Sequence, residues 1–228
     1  VPIRWRRASK KVQLPTRIGL IGDVHAEHIL LQRAVDKLKS RGITQMLCTG
    51  DVVDGIPNGG GDIDVCCDIL RAENIPTVSG NHERWVIRDG KPWNDLTDVD
   101  KLRPDTVDWL NALPTSMKFD TKAGGLLLCH GMGDNDMTRF MPDAPDSEME
   151  GDPDVQAVLA DNALQYVING HSHRRMLRRL KHLTIINVGT LYRTHDACFA
   201  ELDLGNKTVT YFDFVDGDAR QETTLQLP

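Results

Sequence analysis

No stretch of this 228-residue chain approaches the ~18 consecutive apolar residues that a membrane-spanning helix needs. Cysteine is sparse as well. The five thiols, Cys48, Cys66, Cys67, Cys129 and Cys198, form an odd set without a CxxC spacing. Cys66 and Cys67 are adjacent, a poor geometry for an ordinary structural disulfide. A disulfide-framed miniprotein and a thiolate zinc cluster are therefore excluded, and the thiols predict a reducing compartment, the cytoplasm. An excess of positive charge is also missing, since 27 Lys and Arg against 33 Asp and Glu give a net charge of −6. Five of the bases (Arg4, Arg6, Arg7, Lys10, Lys11) crowd the start of the chain, and without them residues 12–228 hold 22 bases against 33 acids, or −11. Such a body repels the backbone of a long nucleic acid, so neither a stable nucleic-acid partner nor a membrane partner is expected. The basic start leads into no apolar segment and does not read as a secretory signal. With 40% hydrophobic and 26% charged residues, the chain reads as a basic tail over 1–14 and one well-buried domain over 15–228. Collagen and coiled-coil patterns are absent, and no repeat or linker divides the chain. Nothing in the pattern fixes an oligomeric state.

The first half alternates strand and helix. Residues 17–22 read as a strand, 29–38 as a helix with Ile29, Leu30, Ala34, Val35 and Leu38 at helical spacing, and 45–49 as a second strand. Residues 62–73 read as a helix, 75–79 as a third strand, and 105–112 as a further helix ahead of Leu113-Pro114. This β-α-β-α-β order predicts a parallel arrangement with right-handed crossovers. In the second half, short strands are expected at 125–129, 166–169, 183–188, 197–204 and 208–214, with a hairpin turn around Asn206. Between the halves, residues 131–153 are rich in Asp, Met and Pro and read as an acidic loop, either simply solvated or acting as a lid.

The polar residues stand at the strand ends. Asp23-Val24-His25 follows the first strand, Gly50-Asp51-Val52-Val53-Asp54 the second, and Gly80-Asn81-His82-Glu83 the third. Cys129-His130-Gly131 and Gly170-His171-Ser172-His173 close two later ones. Ligands of open α/β folds gather beyond the carboxyl ends of strands, so these blocks are expected to meet in one crevice. They hold five of the eight histidines in the chain. Imidazole with carboxylate suits Mn, Fe, Zn, Ni or Co. There are more donors than one catalytic ion with an open position needs, and they suit two ions ~3.5–4 Å apart, bridged by a carboxylate and a water. Such a pair acidifies water and clamps oxygens in an in-line displacement, which points to a phosphoryl centre.

The blocks DVH, GDVVD, GNHE, CHG and GHSH, in this order and over about residues 18–190, resemble the calcineurin-like metallophosphoesterases, most closely the small bacterial and archaeal phosphodiesterases. The resemblance implies a four-layer α/β/β/α sandwich with two mixed β-sheets and the metal site at the strand C-terminal ends. It implies that Asp23, His25 and His173 bind one metal, that Asn81, His130 and His171 bind another, and that Asp51 bridges them. The ions expected are two divalent cations, with manganese foremost. His82 would protonate the leaving-group oxygen or steady the transition state while Asp54 holds its imidazole, a pairing that also follows from the way a carboxylate orients a histidine. The expected reaction is hydrolysis of a small phosphodiester by a metal-bound hydroxide.

Protein Ser/Thr phosphatases of this superfamily carry Arg directly after the second Asp of GDxxD, where this chain has Gly55. That disfavours a protein phosphatase, although a phosphomonoesterase stays the first alternative. A protein-binding scaffold on the same fold is the second, and the retention of His82 speaks against it. Ala26 follows His25 where many relatives have Gly. For substrate contacts the candidates are Asn135, Arg139 and Arg174. Arg174 and Arg175 read first as a solvated strand edge with Arg178, Arg179 and Lys181 and second as a bidentate phosphate contact, and Arg84 reads equally as an ion-pair partner or a substrate contact. Glu83 reads as a support for its loop. Cys48 and Cys129 read as packing residues, and His28, His182 and His195 as surface or satisfied core histidines.

Overall fold

The computed structural model describes residues 13–56, 60–90 and 97–228. The first twelve residues of the expected basic tail lie outside the described residues. Gln13 and Leu14 already belong to the fold, since Gln13 bridges Asp120 and the buried Leu14 donates its N–H to the Asp120 carbonyl at 2.9 Å.

Two five-stranded sheets form the frame. The first runs β10-β9-β8-β1-β2. Its strands are β1 (Arg17–Ile21), β2 (Met46–Cys48), β8 (Cys198–Asp203), β9 (Thr208–Val215) and β10 (Asp218–Gln226). Only β1 and β2 are parallel in it. The second runs β3-β4-β5-β7-β6, from β3 (Ser116–Thr121), β4 (Gly124–Cys129), β5 (Leu164–Asn169), β6 (Met176–Leu180) and β7 (Leu183–Asn187), with β4, β5 and β7 parallel. Both sheets are thus mixed, as expected. Period-2 alternation sorts each strand between two apolar layers. Leu20, Leu47, Leu126, Leu128, Ile168 and Tyr211 pack between the sheets. Ile21, Met46, Cys48 and Phe212 turn instead to α1 (His28–Ser40), α2 (Ile63–Ala72) and α4 (Pro104–Asn111). Between α2 and α4 the described residues make three short helical turns: α3 (Asn81–Glu83), a π-helical turn over Arg84–Arg88 that continues it, and a 3-10 turn over Val99–Lys101. Leu127, Val167 and Ile185 face α5 (Asp146–Gly151) and α6 (Pro153–Leu159) on the opposite side. Helices, sheet, sheet and helices make the four layers.

The expected third strand at 75–79 shrinks to one parallel bridge between Cys48 and Thr77. Pro76 has no N–H for the ladder, so only its carbonyl and the Val78 N–H reach Cys48. Strands β3, β6 and β10 lie at or beside sheet edges and were not expected from the sequence. The 131–153 segment is more than a loop: it carries α5 and buries Met132, Phe140, Ala144 and Met149 against the outer face of the second sheet. All five cysteines are free and buried, and burial pushes the thiols of Cys48, Cys129 and Cys198 up to about 12. Cys48 and Cys129 are packing residues, as their positions predicted. No helix among the described residues is long and apolar enough to cross a membrane.

The two sheets touch where the polar blocks begin. Asp23, just past β1, bridges Thr190, just past β7. A Cβ on Gly22 would stand 2.2 Å from the Gly189 carbonyl oxygen, so the backbones can approach this closely only through glycine.

Candidate metal centre

Three of the five polar blocks, DVH, GDVVD and GHSH, turn sharply as they leave their strands. Of ten non-glycine residues with positive φ among the described residues, six stand here: His25, Ala26, Asp51, Asp54, His171 and His173. Left-handed backbone at non-glycine residues costs energy and gathers where a site must aim its side chains. Two glycines clear the space that the carboxylates fill. A Cβ on Gly80 would lie 2.0 Å from Asp51 Oδ1, and one on Gly170 would lie 2.0 Å from Asp23 Oδ1.

The side chains converge in two groups of donors that share Asp51. Asp23, His25, Asp51 and His173 form the first, and Asp51, His130 and His171 the second, with the donor atoms of each within 4.8 Å of one another. Asn81 joins the second group, its Oδ1 lying 2.9 Å from His130 Nε2. Asp51 Oδ2 lies 3.2 Å from His130 Nε2 and 3.9 Å from His25 Nε2. His173 Nε2 lies 3.3 Å from Asp23 Oδ2 and 3.0 Å from His25 Nε2. All seven residues expected to hold metal therefore face one another.

This donor set fits cations. His130 Nδ1 faces the Thr49 carbonyl at 2.8 Å and must carry its hydrogen there. In the neutral ring Nε2 is then bare, yet it confronts the oxygens of Asp51 and Asn81. Three lone pairs aimed at one point repel unless something positive lies among them. Without a cation a proton takes that place. Burial works against a charged His130, but Asp51 and Asp23 outweigh it and raise its pKa to about 10. His25 Nδ1 is fixed in the same way by the Asp54 carbonyl at 2.9 Å. Burial holds His25 below its ordinary value, His171 at about 4 and His173 at about 2, so these rings are neutral donors. Burial also opposes ionisation of Asp51, but the surrounding imidazoles, His130 first, keep it well below the carboxylate range. Asp23, buried and beside Asp51, is pushed up to about 7 although His130 draws it down.

His82 stands beside these groups with its Nδ1 on Asp54 Oδ2 at 2.8 Å and its Nε2 4.0 Å from Asp51 Oδ2. Burial opposes its charged form, yet the Asp54 hydrogen bond and the Asp51 charge raise its pKa above the ordinary value. Asp54 is itself anchored by Thr97, whose hydroxyl donates to Oδ1 at 2.6 Å.

Glu83 is fully buried and accepts four backbone N–H groups, those of Gly80, Asp51, Val52 and Val53, at 2.7, 2.9, 2.6 and 3.1 Å. It ties the GDVVD turn to the GNHE turn, the supporting role expected of it. Each carboxylate oxygen takes two of the four bonds, so an amide in its place would, in either orientation, aim its NH2 at two buried donors. Glu83→Gln is expected to lower stability by about 3 kcal/mol, which in a chain of this size lowers Tm by roughly 6–12 °C. Differential scanning calorimetry of the metal-free protein checks it, and an unchanged Tm would refute the role.

The three substrate-contact candidates are spread out. Asn135 donates to Asp154 Oδ2 at 2.8 Å, and Arg174 pairs with Asp196 at 3.0 Å. Arg139 is exposed, and its charge helps to depress His171. Arg84 forms a bidentate pair with Asp136 and reaches Asp89, so it is an ion-pair residue. Sequence reasoning missed four neighbours of the site. Thr49 donates to Asp23 Oδ1 at 3.0 Å, and Thr97 anchors Asp54. Tyr192 packs its ring 5.0 Å from that of His25, and His195 reaches His173. Thr49 stands directly before the GDVVD block and was within reach of the argument. The other three belong to no block, and only the fold brings them in.

Residues 16–207 match the model of the calcineurin-like phosphoesterase superfamily domain. The uncharacterized protein MJ0912 of Methanocaldococcus jannaschii is 23% identical over 192 residues, covering 78% of this chain and 71% of that protein. Among solved structures, a metallophosphoesterase from Sphaerobacter thermophilus is 19% identical with a TM-score of 0.63, over 87% of this chain and 88% of the other. A novel archaeal phosphodiesterase is 16% identical with a TM-score of 0.54, over 87% of this chain and 99% of the other. At these identities the structures are alike in fold.

Proposed function

This chain belongs to the calcineurin-like phosphoesterase superfamily, and on that premise we propose that it hydrolyses small phosphodiesters with two divalent cations, manganese foremost. The observation that carries the reading is the crowding at His130 Nε2, which faces Asn81 Oδ1 at 2.9 Å and Asp51 Oδ2 at 3.2 Å while Nδ1 is committed to the Thr49 carbonyl, so that a positive charge must lie among them. Asp23, His25 and His173 would hold one cation and Asn81, His130 and His171 the other, with Asp51 between them. Divalent cations held there supply Lewis acidity, which acidifies water and offsets the charge that grows on phosphoryl oxygens.

The chain's own residues do the rest. His82 keeps a proton at Nε2, on the side of Asp51, and delivers it to the departing oxygen. Asp54 fixes the ring by accepting from Nδ1, and Thr97 keeps Asp54 from turning away. The neutral rings of His25, His171 and His173 present lone pairs without first shedding protons. Arg139 is our first choice for a contact with the substrate phosphate, because Arg174 would have to leave Asp196 and Asn135 would have to leave Asp154.

The preference for diesters rests on position 55. A Cβ there would stand 2.8 Å from the Ala26 methyl and 3.0 Å from the His25 carbonyl oxygen. A side chain such as the phosphatase arginine would displace the turn that carries His25, so no guanidinium meets a dianionic monoester from this direction. The archaeal structural neighbour is named as a phosphodiesterase, which accords with this preference. The single domain over 15–228 and a reducing, cytoplasmic setting are part of the same reading, the latter supported by five unpaired buried thiols. The test is turnover by metal-stripped protein reloaded with Mn²⁺, on bis-p-nitrophenyl phosphate and p-nitrophenyl phosphate side by side. Faster hydrolysis of the diester is expected. Faster hydrolysis of the monoester would make the protein a phosphatase, and two bound ions without turnover on either would favour a scaffold.

A further inference from the structure

Two of the ligand histidines are held from behind by backbone carbonyls, His25 by Asp54 and His130 by Thr49. His173 is held differently. Its Nδ1 lies 2.7 Å from Nδ1 of His195, a residue outside every motif block. We propose that His195 is a positioning residue for the first cation, accepting the Nδ1–H of His173 and so keeping His173 Nε2 bare toward Asp23 and His25. The inference rests on reading Asp23, His25, Asp51 and His173 as a cation nest.

A carbonyl can only accept, so it fixes the tautomer of the ring that it holds. An imidazole can accept or donate, so the tautomer of His173 depends on its partner. If His195 donated, His173 would turn an Nε2–H toward the nest and lose its lone pair for a cation. If His195 accepts, the lone pair faces Asp23 Oδ2 at 3.3 Å and His25 Nε2 at 3.0 Å. Cation binding selects the second state, and His195 must be in place to receive the hydrogen.

His195 is kept in place from the nest's own loop. Leu191 N–H and the Thr190 hydroxyl both donate to the Asp23 carbonyl, at 2.8 and 2.9 Å. Arg193 grips the buried Glu27 through Nε at 2.7 and 2.9 Å and through Nη2 at 2.5 Å. The His195 N–H closes a turn onto the Tyr192 carbonyl at 2.9 Å. The Tyr192 ring sits among the rings of His25, His195 and His173, at 5.0, 5.1 and 6.1 Å. The acceptor is thus clamped to the segment that supplies Asp23 and His25, and the first nest differs from the second in depending on an exposed side chain. Beyond His195 lies a groove of about 830 Å³ that His195 lines together with Arg193 and Arg175. An exposed ring on a groove wall can be replaced without opening the core.

The experiment measures Mn²⁺ binding to metal-free full-length protein by isothermal titration calorimetry, for wild type, His195→Ala and His195→Asn. In asparagine Oδ1 hangs on Cγ as Nδ1 does in histidine, so that variant restores the acceptor. Wild type is expected to bind two ions. His195→Ala is expected to bind one of them roughly 10–100-fold more weakly and the other unchanged, with His195→Asn recovering most of the loss. The Tm of the metal-free variants should equal that of wild type, and kcat at saturating Mn²⁺ should stay close to wild type while the Mn²⁺ concentration for half-maximal rate rises. Two unchanged affinities in His195→Ala would overturn the inference, as would equal weakening at both sites with a lower metal-free Tm. A wild type that binds fewer than two ions would overturn the cation nests themselves along with it.

Discussion

Asp51→Asn is expected to lose both divalent ions on dialysis and to lower kcat/KM on a phosphodiester by ~10³-fold or more, since Lewis-acid stabilisation is worth several kcal/mol and each 1.36 kcal/mol is a decade. Asp51 is the one donor that both groups share. Asparagine keeps its shape and an oxygen for the His82 backbone N–H, which Asp51 Oδ1 now accepts at 3.0 Å. The substitution therefore removes charge and one strong donor while leaving the turn intact. It also removes the foremost of the charges that raise His130, so the pKa of His130 should fall in the metal-free variant. Metal content by mass spectrometry after dialysis, beside Mn²⁺-dependent turnover, settles the matter. Two ions retained at full occupancy, or turnover equal to wild type, would remove Asp51 from its bridging place.

The site was legible because its residues sit in short contiguous blocks at strand ends. A strand that stops at Ile21 or Cys48 delivers whatever follows to the same edge of the sheet, so Asp23, His25, Asp51 and Asp54 could be placed before any coordinates. Short apolar runs bounded by turn residues likewise announced the central strands, which are buried on both faces. Edge strands were harder. The β10 sequence Asp218–Gln226 is largely exposed and polar, and it has no buried face to impose a pattern. Residues 75–79 failed in the opposite way: the apolar pattern is real, but Pro76 prevents the ladder that the pattern predicts. His195 and Tyr192 were beyond reach for a third reason. They approach the centre only because β7 ends beside β1 and the chain then turns back over Asp23, a tertiary event with no local signature.

The same fold logic explains Gly55 and Ala26 together. Ala26 has φ 58°, and its methyl points at both Gly55 and Gly61, where a Cβ would come within 2.8 and 2.9 Å of it. A small side chain in the first block has thus been accommodated by leaving two later positions without one. The consequence for chemistry is indirect but physical, because the turn that aims His25 is packed against the place from which a phosphatase would extend its arginine.

His82→Ala is expected to lower kcat by roughly 10²–10⁴-fold on a diester whose leaving group is an alkoxide, with two Mn²⁺ ions still bound. The split between chemistry and metal content follows from position. His82 Nε2 stands 4.0 Å from Asp51 Oδ2, and its ring is anchored outward through Asp54 and Thr97 rather than into either donor group. Removing it leaves all seven donors in place, and the backbone N–H that Asp51 accepts belongs to residue 82 whatever its side chain. The leaving group gives the decisive control. An alkoxide is a poor leaving group without a proton, whereas a nitrophenolate departs as the anion. If His82 donates the proton, the deficit should be large for the alkyl ester and should shrink to about tenfold or less for the nitrophenyl ester, by the Brønsted behaviour of general acids. A deficit equal for both leaving groups would instead assign His82 to binding the phosphoryl oxygens. Loss of metal in His82→Ala would contradict the separation of roles that the Asp54 anchor implies. Asp54→Asn serves as the second arm: it keeps the bulk beside His82 but no longer holds the ring with a charged acceptor, and it should reproduce the leaving-group dependence at smaller amplitude.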